Sequence, residues 1–390
     1  QLLPAALAAG QVGEGEIREL AERLARFHRD AATAGPETPW GQSEAVLQPV
    51  LDNLTALADC PGAQAHLGPL TAWVRQQAGA LQPWFSQRQR GGHIRECHGD
   101  LHLGNMLLGA SGIEVFDALE FSETLRWIDP ISELAFLVMD LAVRGRADLG
   151  TLLLNSWLEA SGDGEGLRGW AWYSVYRALV RAKVSWLRLK QSGLAAAESS
   201  RIQTELASYL RLAMDWIQRQ SQPLVLMHGL AGSGKSTMAV ALSQQLGAVV
   251  FRSDVERKRL FGLWGVRPTR QLEGELYGPA ASRHLYANTL PALVEAASAG
   301  GLAVIVDACF LRRSERQRMV ALAGKLGIPV QIVVCTAPEP LLRQRLLERA
   351  AAGSDPSDAT VEVLQSQHQW LEPLDPVEKG LVMAAEELVP

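Results

Sequence analysis

Cysteine is scarce in this chain of 390 residues, and long apolar runs are missing. The four cysteines are far apart in the sequence: Cys60, Cys97, Cys309 and Cys335. Such spacing fits neither a disulfide framework nor a zinc site, so it favours a reducing, cytoplasmic location. A bilayer span needs about 20 consecutive apolar residues, whereas the most apolar stretch, Ile131–Val143, is interrupted by Glu133 and Asp140. Because no secretory signal is visible either, we expect no membrane partner.

A basic excess is also missing. The chain has 37 Lys and Arg residues against 42 Asp and Glu residues. Residues 1–220 contribute 20 basic and 25 acidic side chains, and the remainder contributes 17 of each. Nucleic-acid-binding domains usually carry a surplus of Lys and Arg, so this balance argues weakly against a nucleic-acid partner. The length is typical of two domains.

A phosphate-binding loop is the most specific motif in the chain. Leu224–Met227 predicts a short buried strand, and the next residues match G-x-x-x-x-G-K-[ST] at every fixed position. In such a loop, glycines let backbone N–H groups turn toward phosphate oxygens at the start of the next helix. Lys235 is predicted to reach the β- and γ-phosphates, and Ser236 to hold Mg²⁺. The predicted nucleotide-binding residues are Gly229, Leu230, Ala231, Gly232, Ser233, Gly234, Lys235, Ser236 and Thr237.

Strands and helices alternate through the second part of the chain. Four apolar runs predict strands: 224–227, 248–251, 302–306 and 330–335. Continuous apolar strands that alternate with helices are typical of a parallel sheet covered on both faces. We therefore predict an α/β domain over residues 221–390, separated from residues 1–220 by a short polar linker. Its ligands are expected at the carboxyl ends of the strands.

Polar residues follow three of these strands and are predicted to meet in one crevice. Asp254 and Arg257 follow the second strand, and Asp307 follows the third. We expect Asp254 to accept the proton of an acceptor hydroxyl, Arg257 to hold the substrate, and Asp307 to act on Mg²⁺ directly or through water. A role as helix N-cap is the alternative for Asp254, because it stands in a good helix start signal.

Two groups of arginines are candidates for contacts with phosphates or substrate. Arg345 and Arg349 are four residues apart, so they share a helix face. We predict that they belong to a mobile lid that neutralises charge on the transferring phosphoryl group. Arg312, Arg313 and Arg316 are candidates for binding an anionic acceptor or a phosphate. An ordinary solvated helix face is the alternative for both groups.

A second set of polar residues lies in the first half of the chain. The loop that starts at His98 contains Asp100 and Asn105, a predicted hairpin follows, and Asp117 stands at the end of the hairpin. These residue types fit a phosphoryl-transfer site. Asp100 can orient or deprotonate a substrate hydroxyl, while Asn105 and Asp117 can hold the metal ions that bridge nucleotide phosphates. An unrelated acidic loop is the alternative.

The pattern His98-x-Asp100-x-x-x-x-Asn105, with Asp117 about a dozen residues on, resembles the catalytic core of the aminoglycoside phosphotransferase family. These are small-molecule kinases with a protein-kinase-like fold. The resemblance implies a mainly α, protein-kinase-like C-lobe over residues 1–220, in which His98 holds the loop.

This resemblance has one departure, because the N-lobe is absent. Kinases of this fold need an N-terminal lobe with a β-strand lysine and a loop over the phosphates, and nothing before residue 97 offers them. Either sequence is missing upstream of Gln1, as its helix-like start suggests, or this module has no kinase activity. We expect that residues 1–215 do not transfer phosphoryl groups on their own.

Residues 222 to about 375 resemble the small P-loop kinases that phosphorylate hydroxyls of metabolites, antibiotics or polynucleotides. The segment Ser253-Asp254-x-x-Arg257 is similar to the Ser-Asp-x-x-Arg of polynucleotide 5′-hydroxyl kinases and zeta-toxin-like kinases. The order of the two modules resembles bacterial two-module fusion proteins, and this likeness implies no particular substrate.

Taken together, these features favour an ATP- and Mg²⁺-dependent phosphotransferase that acts on a hydroxyl of a small-molecule acceptor through residues 221–390. Two alternatives stay open. One is a regulatory ATP-binding switch that controls the first module. The other is a polynucleotide or nucleotide-sugar kinase, which the balanced charge disfavours. GTP is not excluded as the donor, and the sequence carries no signal for the acceptor or the oligomeric state.

Overall fold

The computed structural model describes residues 1–264, 276–352 and 355–383. It divides into two compact units. Unit 1 comprises Gln1–Trp157 and Gly169–Gln220, and unit 2 comprises Leu158–Arg168 and the chain from Ser221 onward. The inclusion of Leu158–Arg168 in unit 2 has no counterpart in the sequence prediction. Within the described ranges, no helix combines the length and the apolar character that a membrane crossing requires.

Helices dominate the first half of the chain. They are α1 (Leu3–Ala8), α2 (Glu14–Asp30), α3 (Ser43–Ala56), α4 (Gln64–Arg90), α5 (Glu123–Arg126), α6 (Pro130–Val143), α7 (Ala147–Ser161), α8 (Trp170–Leu189) and α9 (Ala196–Ile217). Helix α6 shows how the sequence sets a helix start. Its N-cap, Asp129, accepts a hydrogen bond from the Ile131 amide at 3.0 Å, and Pro130 occupies the first helical position. Arg88 holds the same carboxylate at 2.7 Å.

Four short strands accompany these helices. They are β1 (Arg95–Glu96), β2 (Met106–Gly109), β3 (Gly112–Val115) and β4 (Trp127–Ile128). Strands β2 and β3 form an antiparallel hairpin in which Met106 is opposite Val115. Strands β1 and β4 form a second antiparallel pair. The polar loop that starts at His98 therefore lies between β1 and the hairpin.

Strands and helices alternate in the second half. The elements are β5 (Leu224–His228), α10 (Lys235–Leu246), β6 (Val249–Arg252), α11 (Ser253–Arg259), α12 (Pro279–His284), α13 (Leu290–Ala299), β7 (Val304–Asp307), α14 (Arg313–Leu326), β8 (Val330–Val334), α15 (Glu339–Ala352), α16 (Val361–Trp370) and α17 (Pro376–Lys379). A π-helical turn, Leu285–Thr289, joins α12 to α13.

The strands β5 to β8 form one parallel sheet in the order β6–β7–β5–β8. Every residue of β5 and β7 is buried, as their continuous apolar sequences predict. Ala239 and Leu242 of α10 belong to one hydrophobic core with Val225, Ile305 and Val333 of the sheet. The predicted fold class, a mainly α module followed by an α/β module with a parallel sheet, is confirmed.

The strand register brings three strand ends to one edge of the sheet. Leu226 of β5 is opposite Val306 of β7, and Arg252 of β6 is opposite Asp307 of β7. Because the strands are parallel, the loops that leave β5, β6 and β7 all start from this edge. The segment after β5 carries the phosphate-binding motif, Asp254 lies in the first turn of α11 after β6, and Asp307 is the last residue of β7.

A buried ion pair fixes the base of α14. Arg316 is 0% exposed, and its guanidinium donates to both carboxylate oxygens of Glu378 at 2.8 and 3.0 Å. The same side chain donates to the carbonyl oxygens of Phe310, Leu311 and Pro373 at 2.9 to 3.3 Å. All of these partners are within the chain, so the predicted substrate role of Arg316 is wrong: its helix face points into the protein.

We expect the substitution Glu378→Ala to lower the free energy of unfolding by about 3–5 kcal/mol, because it leaves a buried charge without its partner. The matched control is Glu339→Ala, which breaks an exposed pair with Arg343 and should leave the free energy of unfolding nearly unchanged. Urea denaturation of the full chain measures both. Equal, small shifts for the two variants would contradict the structural role of Glu378.

Candidate active site

The loop between β5 and α10 has a backbone that only glycine adopts easily. Gly229, Gly232 and Gly234 have φ angles of 145°, 80° and 94°. A Cβ atom on Gly229 would lie 2.2 Å from the carbonyl oxygen of Cys335. A Cβ atom on Gly232 would lie 2.9 Å from the carbonyl oxygen of Leu342. The left-handed backbone therefore favours glycine at all three positions. The close approach of neighbouring backbone is a second reason for glycine at positions 229 and 232.

Side chains from other elements contact this loop directly. Gln367 of α16 accepts a hydrogen bond from the Ala231 amide at 2.7 Å. Arg345 of α15 donates to the carbonyl oxygen of Gly232 at 3.1 Å. Lys235, at the start of α10, is 92% buried and donates to the carbonyl oxygen of Leu230 at 2.8 Å. The loop thus presents a cation and a helix N-terminus to the same space, which is an arrangement suited to phosphate.

Ser236 and Asp307 form a pair of oxygen ligands beside the loop. The Ser236 hydroxyl is hydrogen-bonded to the Asp307 carboxylate. Burial raises the pKa of Asp307, and the bond from Ser236 and the charges of Arg252 and Lys235 offset this only in part. Arg252 lies 3.6 Å from the carboxylate, because it occupies the opposite position on the neighbouring strand. A hydroxyl and a carboxylate are ligand types that Mg²⁺ takes in nucleotide sites, so these residues fit that ion.

Asp254 lies in the first turn of α11 and lines the same cavity as Lys235. Helix α11 begins at Ser253 with Arg252 at the N-cap position, and it has no capping side-chain hydrogen bond. The alternative role of Asp254 as N-cap is therefore wrong. Its carboxylate instead accepts a hydrogen bond from the hydroxyl of Tyr277 at 3.3 Å.

Tyr277 connects Asp254 to the loop before α16. Its hydroxyl accepts a hydrogen bond from the Asp358 amide at 3.3 Å. Burial, together with the charges of Asp254 and Asp358, raises the pKa of Tyr277, so the hydroxyl keeps its proton and donates to Asp254. The Asp358 carboxylate lies 3.1 Å from the amine of Lys258 in a buried pair. Sequence reasoning missed Tyr277, because it is more than twenty positions from Asp254 and belongs to no motif.

Arg257 lies one turn after Asp254 and is only 6% exposed. It donates to the carbonyl oxygen of Leu276 at 3.1 Å and to the hydroxyl of Ser282 at 3.0 Å. Its guanidinium stacks on the ring of Tyr277 at 4.9 Å. Among the described residues, its Nε atom has no hydrogen-bond partner.

The predicted lid arginines lie on the cavity side of α15. Arg345 and Arg349 both line the cavity, and Arg349 donates to the carbonyl oxygen of Ala359 at 3.0 Å. Arg343 instead forms an ion pair with Glu339 at 2.7 Å and does not line the cavity. Residues 353–354 of the connecting loop lie outside the described residues. The next part of that loop is tied to β6, because Asp355 lies 3.5 Å from Arg252.

A single cavity of about 760 Å³ collects these groups. Its polar lining includes the following residues: Lys235, Ser236, Arg252, Asp254, Arg257, Tyr277, Arg283, Asp307, Arg312, Glu315, Arg318, Arg345, Arg349 and Gln367. Of the three arginines predicted near the start of α14, only Arg312 lines the cavity. Arg313 does not line it, since its side chain lies 3.7 Å from Asp375 and its amide donates to Glu372, so its role at the substrate stays a prediction.

The loop of unit 1 is held in a defined geometry around Asp100. The Asp100 amide donates to Nδ1 of His98 at 3.3 Å, and Nε2 of His98 donates to the carbonyl oxygen of Phe116 at 2.8 Å. Asn105 donates to both the backbone and the carboxylate oxygens of Asp100 at 3.1 Å. Asp117, the residue after Phe116, is exposed with a φ angle of 64°. The structure therefore brings His98, Asp100 and Asn105 together. Asp117 directly follows Phe116, whose carbonyl oxygen is bound by His98.

The charge of Asp100 is stabilised by its neighbours. Burial raises its pKa, but the hydrogen bond from His102, the charges of His102 and Arg177, and the bond from Asn105 outweigh burial and lower it. The carboxylate lies 3.3 Å from Nε2 of His102. Asp100 is accordingly set up as an anion that accepts hydrogen bonds.

A buried network supports this loop from below. Glu133 of α6 accepts from the Gly99 amide at 2.7 Å and pairs with His28 at 2.9 Å. Trp157 donates to Nδ1 of His28 at 3.1 Å, so His28 is neutral and donates to Glu133 through Nε2. Cys97 lies close enough to complete a metal-type triad with His28 and Glu133. His28 and Glu133 are both hydrogen-bonded to protein partners, so the triad is a structural support.

Family models match both halves of the chain. A model described as "Phosphotransferase enzyme family" matches residues 4–176, and one described as "AAA domain" matches residues 224–374. A gluconokinase from Sinorhizobium meliloti 1021 is 22% identical, covers 42% of this chain and 82% of its own, and has a TM-score of 0.25. A sugar kinase from Janibacter sp. HTCC2649 is 24% identical, covers 43% of this chain and 90% of its own, and has a TM-score of 0.28.

Uncharacterized proteins of Mycobacterium tuberculosis and Mycobacterium bovis are similar over nearly the whole chain. They are 30% identical over 368 residues, which is 93% of this chain and 72% of theirs. The aligned length includes both matched regions. The chain therefore belongs to the same family as these mycobacterial proteins, and it is a kinase-type enzyme in which a phosphotransferase-family module is followed by a P-loop kinase-like module.

Proposed function

We propose that unit 2 transfers the γ-phosphoryl group of ATP to a hydroxyl group of a small-molecule acceptor. The observation that carries this proposal is the single cavity in which Lys235, Ser236 with Asp307, and Asp254 converge. P-loop kinases need these parts together: a phosphate grip, oxygen ligands for Mg²⁺, and a carboxylate that orients the nucleophile. Kinases of the two matched families generally use ATP and Mg²⁺, which agrees with this set.

In the proposed mechanism each side chain has one task. Lys235 and the loop amides hold the β- and γ-phosphates. Ser236 and Asp307 would hold Mg²⁺, which would neutralise charge on those phosphates. Asp254 accepts the proton as the acceptor oxygen forms its bond to phosphorus. The bond from phosphorus to the β-phosphate oxygen breaks, and ADP leaves.

Arg345 and Arg349 are proposed to stabilise the charge that develops on the transferring group. Arg345 already contacts the phosphate loop through the carbonyl oxygen of Gly232, and Arg349 is one turn further along the same helix face. A guanidinium at this place lowers the barrier because its interaction with the phosphoryl oxygens strengthens in the transition state.

A regulatory ATP switch is the second candidate. It is supported by the contacts that tie the loop before α16 to the site, namely Asp355 to Arg252 and Asp358 to Tyr277. Movement of that loop would therefore displace contacts to Arg252, at the end of β6, and to Tyr277, which is bonded to Asp254. Slow ATP hydrolysis that no acceptor stimulates would favour this candidate over the transferase.

We expect Lys235→Ala to lower the kcat/KM for ATP by at least about 100-fold, because it removes a cation that binds the transferring phosphate. The control is Lys325→Ala, which removes an exposed amine at the far end of α14 (77% exposed) and should leave turnover unchanged. ADP release in a coupled assay measures both variants. Full turnover by Lys235→Ala would refute the assignment of the phosphate loop.

For Asp254→Asn we expect kcat to fall by about 100- to 10,000-fold with little change in the KM for ATP, because only the proton acceptor is lost. Single-turnover kinetics with radiolabelled ATP and a reactive acceptor measure the chemical step. The mechanism fails if this variant keeps its kcat, or if it loses ATP binding instead.

Asp100→Asn discriminates between the two units. If unit 2 carries the chemistry, this substitution should change the kcat of the full chain by less than about two-fold. A loss comparable to that of Asp254→Asn, which is the usual size for a general base, would place the reaction in unit 1. The same assay applies, and circular dichroism confirms that the variant is folded.

A further inference from the structure

Four further arginines line the cavity. Arg257 comes from α11, Arg283 from α12, Arg312 from the N-cap of α14 and Arg318 from within α14. Within the described part of the chain, no carboxylate lies within ion-pair distance of Arg283, Arg312 or Arg318. Elsewhere in the cavity, Arg252 is already paired, because it lies between Asp307 and Asp355. The proposed mechanism uses none of these four arginines.

Arg257 carries an unsatisfied donor. Its Nε–H group is buried and has no partner among the described residues, although Nη1 of the same guanidinium makes two hydrogen bonds. A buried donor without a partner is costly, and a charged one more so. Arg257 also lines the cavity one turn from Asp254, so its guanidinium is placed to attract an anion bound there.

The carboxylates that line the cavity are fewer than its Lys and Arg side chains. Asp254 is needed at the reacting hydroxyl, and Glu315 lies on α14 beside Arg312 and Arg318. Burial raises the pKa of Glu315, and the nearby arginines offset this only in part. Over the whole cavity, eight Lys and Arg side chains face five carboxylates, those of Asp254, Asp307, Glu315, Asp355 and Glu362, so the surplus is positive.

Two aromatic rings complete the wall. The guanidinium of Arg312 stacks on Trp370 at 5.4 Å, and that of Arg257 stacks on Tyr277. Stacking restricts the orientation of a guanidinium while leaving its edge free for hydrogen bonds. A planar guanidinium whose edge is free is well suited to a carboxylate or a phosphate, which it can bind with two parallel hydrogen bonds.

We infer that the acceptor is an anion: a small polyhydroxylated molecule whose carboxylate or phosphate group is bound by Arg257 and the arginines of α14, while one of its hydroxyl groups faces Asp254. This inference rests on the proposed function. The reaction forms a bond between the acceptor oxygen and the γ-phosphorus, breaks the bond from that phosphorus to the β-phosphate oxygen, and moves the hydroxyl proton to Asp254. A cationic acceptor such as an aminoglycoside is disfavoured, because the surplus arginines would repel it.

The test is ATP-dependent phosphorylation by the full chain with four sets of acceptors of similar size. The sets are neutral alditols, the aldonates with the same carbon skeletons, sugar monophosphates with free hydroxyls, and aminoglycosides. We expect a kcat/KM at least about ten-fold higher for one of the two anionic sets than for the alditols, since a charge-assisted hydrogen bond is worth about that factor or more. The aldonate and monophosphate sets distinguish the two sources of the anion.

Variants then locate the anion site. Arg318→Gln should raise the KM for the preferred anion about ten-fold and leave the KM for ATP unchanged. Arg257→Lys, which keeps the charge but replaces the planar guanidinium, should also raise it. The matched control is Lys325→Gln, which removes one charge from the same helix outside the cavity, and it should not change either KM. Arg318 is exposed, so its replacement should not impair folding.

Each outcome has one meaning. Equal or better turnover of alditols or aminoglycosides would overturn the inference and leave the proposed function intact. An anion preference that survives both Arg318→Gln and Arg257→Lys would overturn the assigned site. If no acceptor in any set is phosphorylated while ATP is still hydrolysed, the proposed function itself fails, and the inference fails with it.

Discussion

The pairing of β6 with β7 is the constraint on which the candidate site depends. This register sets Arg252 opposite Asp307, and the parallel neighbour β5 then delivers the phosphate loop to the same edge. The Asp307 carboxylate is buried between the Ser236 hydroxyl and the Arg252 guanidinium. Because the strand register sets this placement, the position of Asp307 follows from the backbone and not from a flexible side chain. A shift of β7 by one residue would turn Asp307 to the other face of the sheet and separate it from Ser236. The chemistry proposed for unit 2 therefore requires that the sheet form in this register.

Local signals made much of unit 2 predictable. The phosphate loop is specified by residues that are neighbours in sequence, because its glycines need left-handed backbone and close approach. The buried strands are specified by their continuous apolar runs. The arginines of α14 were not predictable in the same way, because one helix face points to the cavity and another into the protein. Sequence spacing does not say which face is which: Arg312 lines the cavity, whereas Arg316 is a structural anchor.

Tyr277 and Gln367 show a different limit. Each contacts the site through a hydrogen bond to a residue distant in sequence, Tyr277 to Asp254 and Gln367 to the Ala231 amide. No periodicity or motif marks such a residue, because its role exists only once the chain has folded. In unit 1 the same applies to His28 and Glu133, which support the loop of Asp100 from α2 and α6. The motif residues could be predicted from sequence, but the residues that hold them in position could not.

The hydrogen bonds through Tyr277 have a consequence for redesign of this pocket. Asp254, Tyr277 and Asp358 share one chain of contacts, and Lys258 pairs with its far end. Residues that share partners do not contribute independently, so the energetic effects of substitutions at these positions will not add. An engineer who changes the acceptor pocket one residue at a time would misjudge the effect of changing several together. These positions are better treated as one variable, varied jointly in a library.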